Sequence, residues 1–490
     1  MTDERAGLFW TNHALVDIGL AALVAYAGRG SPEELTWADL ESFAQYAQHA
    51  LLTKTMRSHA SVLFTINTSY LNPSTKEEDR PRLLHELLTS FKKTPGDTAV
   101  LCVYCGRPSA HRAYRDRVPM LTGRGVVNFF PQGRHGLPIC GFCLLCLQAA
   151  AFGAPSCEGR ALVIQADDPF ITLSFVQEWL PQVRQWIQLS EQTGEKVAAL
   201  SAPRTRVLEM LVKLERERQR ELNRSHGGIT VYHLSNSGQG PDVSIYTLPS
   251  NVVRFVRLAQ TPRYRAQWQA LVDRAWEIQT SGKHRHAADD STRQRQRNYL
   301  YEDLFRLPDE APRFIRVYLL RRRLHLARAG TAQRDPRTQY RGLEEAELTN
   351  WNFTELFLRE VLGMDTQRIE LIRNLGDKLA DEIATTNDSR LFKRAYRARR
   401  YVEVRRLLLS SSFKRLQRNE EPVVRFHDFL TIFEDGEELA RADWRLAWDL
   451  VLVRLIDNLY EREWLTRNKE VVEEIEQPLE EEEEEEEEGE

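Results

Sequence analysis

Leu101-Cys102-Val103-Tyr104-Cys105-Gly106 and Ile139-Cys140-Gly141-Phe142-Cys143 hold four of the six cysteines, with 34 residues between Cys105 and Cys140. A C-x-x-C turn sets two sulfurs on one side of a tight knuckle, and two knuckles close a tetrahedron around Zn2+. Gly106 and Gly141 suit such turns, where backbone amides face sulfur. The 34-residue spacing predicts a small zinc-pinned insert on a larger scaffold. The competing readings are a redox dithiol, which wants a strand-helix context that lowers a thiol pKa, and a structural disulfide, which a reducing compartment disfavours. Four thiolates fill the coordination shell, so Cys102, Cys105, Cys140 and Cys143 are expected to hold a structural ion. Cys146, in the apolar run Leu144–Leu147, reads as a packed thiol, and Cys157 stands apart from the set.

Outward from the cysteines the pattern is mixed. Thr36-Trp37-Ala38-Asp39 is a capping box that opens a helix through Phe43, Tyr46, Ala47 and Ala50. Ser61–Ile66 reads as a strand running into the turn-rich segment Asn67–Ser74. Beyond the insert, Ala161–Gln165 reads as a strand, Arg204–Arg224 as a charged helix, and Ile229–Leu234 with Val243–Leu248 as paired strands. Lys283–Arg297 is polar and loop-like. After Pro312 the pattern is helical to about Leu465, with apolar stripes at Ile369, Ile372, Leu375, Leu379, Ile383 and at Trp444, Trp448, Val451, Leu455, Leu459. The expected fold class is α+β: a mixed N-terminal and central region with a zinc-knuckle insert, then an all-helical C-terminal bundle. The expected segments are 1–95, 96–160, 161–335, 336–469 and an acidic tail at 470–490.

With 42% hydrophobic and 28% charged residues, the composition is that of a soluble globular protein. The apolar stretch Ala14–Ala27 is short and carries Asp17, so no membrane span is expected, and the expected location is the cytoplasm. The formal net charge of −4 conceals a division: fourteen glutamates and no basic residue follow from Glu470 to the end, which leaves +10 for the rest. Such a like-charge block is expected to be disordered, and could compete with nucleic acid for a basic groove. The positive charge is concentrated between Lys393 and Arg418, where ten basic residues accompany one acid, Glu403. Arg394, Arg397 and Tyr401 would share a helical face. Lys393, Arg394, Arg397, Arg400, Arg405 and Arg406 are the expected contacts to a nucleic-acid backbone. A second concentration runs from Arg313 to Arg328.

The paired C-x-x-C motifs, the opening Trp10-Thr11-Asn12-His13-Ala14-Leu15-Val16-Asp17-Ile18-Gly19 and the segment Phe64–Ser74 together resemble the CXXC–CXXC family of large subunits of type I-B CRISPR interference complexes (Cascade). The opening has Asn12-His13-Ala14 in place of that family's usual Gly-Asn-Pro. The resemblance implies a non-catalytic antiviral-defence protein that recognises the PAM duplex, helps open the DNA into an R-loop and holds the displaced strand. It also implies partners: CRISPR RNA, target double-stranded DNA, backbone, guide 5'-end-binding and small subunits, and an effector helicase–nuclease or transposition proteins. Asn67, Thr68, Ser69, Tyr70 and Asn72 are the expected PAM-contacting residues, since amides pair with base edges and a tyrosine can stack on an opened pair. Those residues also read as an Asx-rich turn. An internal start at Met364 would yield a 127-residue small subunit.

Two other classes compete. A metal-dependent nuclease would need His427-Asp428, or His284-Arg285-His286 with Asp289-Asp290, to gather further ligands that the sequence does not supply at metal spacing. A stand-alone zinc DNA-binding regulator would place a recognition helix beside the cysteines. No P-loop, dinucleotide turn or nucleophile elbow is present.

Overall fold

The structure, a computed structural model, describes residues 4–64, 68–95, 99–119, 121, 136–193, 200–217, 227–236, 241–278, 296–325, 334–433 and 444–477. Asn67, most of Arg112–Arg134, the turn residues 237–240, the 284–290 histidine–aspartate group and the 480–490 glutamates lie outside them. The chain divides into two compact units, Met1–Val253 with Ala288–Gln296, and Arg254–Ala287 with Arg297–Glu490. This division departs from the five expected segments, because the cysteine region builds part of the first unit's core.

That core is a pair of helices apolar on every side, α1 (Ala14–Ala27) and, further along the chain, the helix that begins within the second cysteine pair. Gly28, at φ 65°, closes α1 in the left-handed conformation. Between the pair come α2 (Trp37–Leu52), α3 (Lys54–Leu63) and α4 (Arg80–Leu88). The Thr36–Asp39 capping box forms as read: Thr36 Oγ1 accepts from the Asp39 N–H at 3.2 Å, and Asp39 accepts from the Thr36 N–H at 2.9 Å. Within the strand expected at Ser61–Ile66, Ser61–Leu63 are instead the end of α3, and residues 65 and 66 lie outside the described residues. Thr53 caps that helix, and Met56, Ala60 and Leu63 form its buried stripe; a continuous apolar face outweighs the β preference of Val62 and Phe64.

β1 (His111–Ala113) pairs antiparallel with β2 (Leu137–Ile139), and Cys140 then caps α5 (Gly141–Gly153). A second sheet runs β3 (Ser156–Cys157), β4 (Arg160–Ala166), β5 (Ile229–Ser235) and β6 (Asp242–Leu248), all antiparallel in that order. Val163 faces Tyr232, which faces Ile245. Central β4 is buried continuously from Ala161 to Ile164 because helices cover it, whereas the edge strand β6 alternates. Two further helices, α6 (Pro169–Thr193) and α7 (Pro203–Glu217), complete the unit, with Val207 and Leu211 buried on α7.

The second unit opens with α8 (Ser250–Ala259), which straddles the boundary, and α9 (Arg265–Arg274). Phe255, Trp268, Phe314, Phe353 and Phe357 form its aromatic centre; the Phe314 and Phe357 rings stack at 5.0 Å. Helix does not continue from Pro312 as the pattern suggested. An α-helical turn at Ala311–Phe314 runs into a π-helical turn at Ile315–Leu319, and the described residues 320–325 and 334–350 that follow hold only short 3-10 turns, tied by buried ion pairs: Arg337 with Asp335 and Asp303, and Arg321 with Glu345. Apolar periodicity alone cannot separate such a charge-tied segment from helix. The bundle follows as α10 (Trp351–Glu360), α11 (Thr366–Thr386), α12 (Ser389–Arg397), α13 (Tyr401–Gln417), α14 (Phe426–Phe433), α15 (Trp444–Glu461) and α16 (Lys469–Glu476). All five stripe residues of α11 are buried, as are four of the five on α15, Trp444 being half-buried. The acidic tail was expected from residue 470, but α16 is helix with Val472 and Ile475 buried. Two apolar side chains at i and i+3 suffice to seat it. Among the described residues no helix is long and apolar enough to cross a membrane.

Candidate metal centre and nucleic-acid surfaces

The four cysteine sulfurs gather as the spacing indicated: each lies within 4.8 Å of the others. Cys105 Sγ and Cys140 Sγ are 3.5 Å apart, far from the ~2.05 Å of a disulfide and close to the ~3.8 Å edge of a tetrahedral zinc–thiolate site. The two halves of the site are made differently. The first is a turn: the Cys102 N–H donates to the Arg107 carbonyl (2.7 Å), the Gly106 N–H to the Cys102 carbonyl (3.0 Å), and Gly106 takes φ 73°. The second is a helix start, where Cys140 Sγ accepts the Cys143 N–H at 3.4 Å as the cap of α5. Gly141 serves close approach and not a knuckle turn, since a Cβ there would sit 2.1 Å from the Ser90 carbonyl oxygen.

The surroundings favour thiolate at Cys102 and Cys105, whereas hydrogen bonding, from Cys102 first, pushes the Cys140 and Cys143 thiols up. Helix α5 aims its positive end at Cys140 and Cys143, and the backbone amides of Cys140 and Arg107 point at the sulfurs of Cys102 and Cys105. Hydrogen bonding from Cys105, then from Cys140 and Cys143, holds the Cys102 thiol far below its ordinary range. Four adjacent thiolates repel one another, so all four ionise together only around a cation. Burial pushes the Cys146 thiol up, in keeping with a packed side chain. Among the described residues no other group of three or more cysteine, histidine or acidic side chains could hold a metal, and His427 is exposed on α14.

The opening motif lies against this cluster. Asp17 accepts from the Thr11 N–H and hydroxyl and from the Asn12 N–H, each at 2.8 Å, which folds Thr11–His13 back over the start of α1. Burial raises the Asp17 pKa, with these donors opposing. Gly19 lets α1 touch α5: a Cβ would meet the Cys146 carbonyl oxygen at 1.7 Å. The His13 ring stands edge-on to Tyr104, inside the first cysteine turn, at 4.6 Å. Arg107 spans Phe9 and Phe142, at 5.1 and 4.9 Å from the ring centres, and donates to the Gly7 carbonyl. A small apolar cavity is lined by Phe9, Thr11, Val16, Cys105, Phe142 and Cys146. What reaches solvent is a lip of Phe9, Trp10 and Asn12, pinned by Gln165, which donates to the Asn12 carbonyl at 2.8 Å.

The Asn67–Asn72 segment is organised otherwise than expected. Thr68 and Tyr70 are fully buried, so Tyr70 is a core side chain and cannot wedge a base pair. Asn72 Oδ1 accepts from the Ser74 N–H (2.9 Å) and hydroxyl (2.7 Å), an Asx turn. Arg80 braces the loop by donating to the carbonyls of Tyr70 and Asn72. Ser69 stays half-buried, and Asn67 lies outside the described residues.

The basic helices divide as well. The chain breaks between α12 and α13, so Tyr401 does not continue the face of Arg394 and Arg397. Lys393 pairs with Glu474, Arg397 donates to the Glu474 carbonyl, and Lys414, Arg415 and Arg418 pair with acids. Arg394, Arg400, Arg405 and Arg406 are exposed and have no carboxylate partner among the described residues. Among the described residues of the Arg313–Arg328 concentration, most arginines are structural, while Arg323 is exposed. Arg316 pairs with Asp449, buried Arg321 lies 3.4 Å over the Tyr340 ring, and Arg322 donates to the Tyr396 carbonyl. Val402, Leu409, Phe413 and Leu416 form an exposed apolar stripe beside Arg405 and Arg406, with Phe426 on α14 also 79% exposed. The seven-residue spacing of Val402, Leu409 and Leu416 was its signal in the sequence.

No protein-family model matches the chain, and neither curated proteins nor solved structures provide a match.

Proposed function

We propose that this protein is the non-catalytic large subunit of a type I-B-like CRISPR complex. In that role it contacts the PAM duplex, helps open the DNA, holds the displaced strand and offers a landing surface to an effector helicase–nuclease. One observation carries the reading: the opening motif and the cysteine pairs, about ninety residues apart in sequence, are built into a single site. Asp17 and Gly19, which stand where the family pattern has them, each have a physical task there. The bound ion is Zn2+, held by Cys102, Cys105, Cys140 and Cys143; it neutralises the thiolates and fixes the two turns. With four protein ligands it activates no water.

In this reading the duplex faces the lip at Phe9, Trp10 and Asn12, which supplies an amide and the aromatic contact that buried Tyr70 cannot. The displaced strand runs along α13, with phosphates on Arg405 and Arg406 and a base against Phe413. The test is expression with guide RNA and the repeated backbone subunits. We expect co-purification of the whole assembly, with Trp10→Ala or Asn12→Ala abolishing discrimination between PAM-bearing and PAM-less duplexes while assembly persists. Site-specific duplex binding by the isolated chain, without guide RNA, points instead to a stand-alone regulator.

A further inference from the structure

Strand β6 is the edge of the second sheet: β5 lies along one side of it, and among the described residues no strand lies along the other. It runs seven residues, Asp242–Leu248, in unbroken register with β5, and holds no lysine, arginine, proline or glycine. Soluble proteins ordinarily guard such an edge with inward charge, proline, a bulge or a covering segment, because an edge backbone is a template for another strand. The side chains of β6 divide by face. Val243 and Ile245 point to one side of the sheet and are 45% and 57% exposed, and exposed Thr247 continues their row. The other side is polar. Asp242 and Ser244 both engage Arg160, which reaches them from β4 across the width of β5, and the Arg204 guanidinium of α7 lies 4.8 Å over the Tyr246 ring.

We infer that β6 pairs with β6 of a second copy of this chain, antiparallel about a two-fold axis at Ser244, so that two four-stranded sheets become one. The strand selects this occupant because it is complementary to itself in that register. Directly opposed residues must point to the same side of the sheet, so the axis falls on a residue and not between two. At Ser244 it sets Val243 against Ile245 of the other copy at two symmetric positions, and the two exposed apolar side chains cover each other. It also sets Asp242 against the other copy's Tyr246, beneath that copy's Arg204, so each acid meets a cation and no like charges are opposed. An axis at Ile245 would instead set Val243 against Thr247, and Asp242 against Leu248, which is already buried. An unrelated extended peptide could use the same backbone groups but would have to bring its own match to Val243 and Ile245. The second copy carries that match. The pairing uses neither the cysteine cluster nor the arginines of the bundle, so it goes beyond the DNA-binding reading and is tested apart from it.

The experiment is light scattering on the full chain without nucleic acid. At micromolar concentration the native protein is expected to show twice its 56.9 kDa chain mass. Ile245→Lys puts a charge into the seam and is expected to return the single-chain mass. Its circular dichroism and melting should match the native protein, because the side chain is exposed in the single chain. Cysteine cross-linking reads the register. Directly opposed residues of an antiparallel pair have Cα atoms about 4.5–5.5 Å apart, within reach of a disulfide. Ser244→Cys is therefore expected to give a cross-linked dimer on a non-reducing gel after mild oxidation, while Thr247→Cys and the native chain do not. A single-chain mass for the native protein overturns the proposal. So does a dimer that Ile245→Lys leaves intact, a dimer that Leu409→Lys on α13 dissolves and Ile245→Lys does not, or a Ser244→Cys chain that fails to cross-link.

Discussion

Tyr70 is where residue type and residue environment part company. Its ring is fully buried and its hydroxyl has no hydrogen-bond partner among the described residues, so Tyr70→Phe should leave thermal stability unchanged or slightly higher. Tyr70→Ala should cost about 3–5 kcal/mol through cavity formation. Denaturant titration of both variants, beside oligonucleotide affinity of Tyr70→Phe, separates a core tyrosine from a stacking one. The metal ligands give a second prediction: Cys102→Ser, Cys105→Ser, Cys140→Ser and Cys143→Ser should each lose bound zinc by elemental analysis. Cys146→Ser and Cys157→Ser should retain it. The quartet was legible in the sequence because C-x-x-C is a local geometric demand. Burial of Tyr70 was not, because it depends on Arg80, ten residues on, drawing the loop inward.

At the scale of elements, helix contact decides what single atoms do. Gly19→Ala drives a methyl group into the α5 backbone and should destabilise the first unit by about 3 kcal/mol or more, read as the first transition on thermal melting. On α15, Asp457 accepts from Arg454 at 2.6 Å, yet burial, with Glu461 adding repulsion, raises its pKa to about 6. A carboxyl whose folded pKa lies above its unfolded value holds its proton more tightly in the native state, so its stabilising contribution falls as pH rises from about 4 through 6. Asp457→Asn should flatten that part of the pH dependence of Tm. Capping boxes and stripes were readable at this scale, since each is a short-range pattern. The α12–α13 break was not, and neither was the charge-tied chain at 334–348, which ion pairs to residues far away in sequence hold.

At the scale of the molecule, two units carry two kinds of surface: a lip beside the four-cysteine cluster in the first and an arginine-bearing helical bundle in the second. Met364 lies between α10 and α11, its N–H donating to the Leu358 carbonyl, so a product starting there would contain α11 to α16 intact. Mass spectrometry of the purified assembly should detect a 127-residue C-terminal chain if the internal start is used. Its absence removes the small-subunit reading and leaves the large-subunit one standing.

By itself the sequence determined the gathering of the four cysteines, the α+β class and the core stripes of the bundle, because C-x-x-C spacing, capping and helical periodicity are set within a few residues. Only the tertiary structure decided which cations are free, which aromatics are buried, and that the opening motif closes over the cysteines. Those outcomes depend on partners far away along the chain, and a side chain's exposure is a property of everything packed around it.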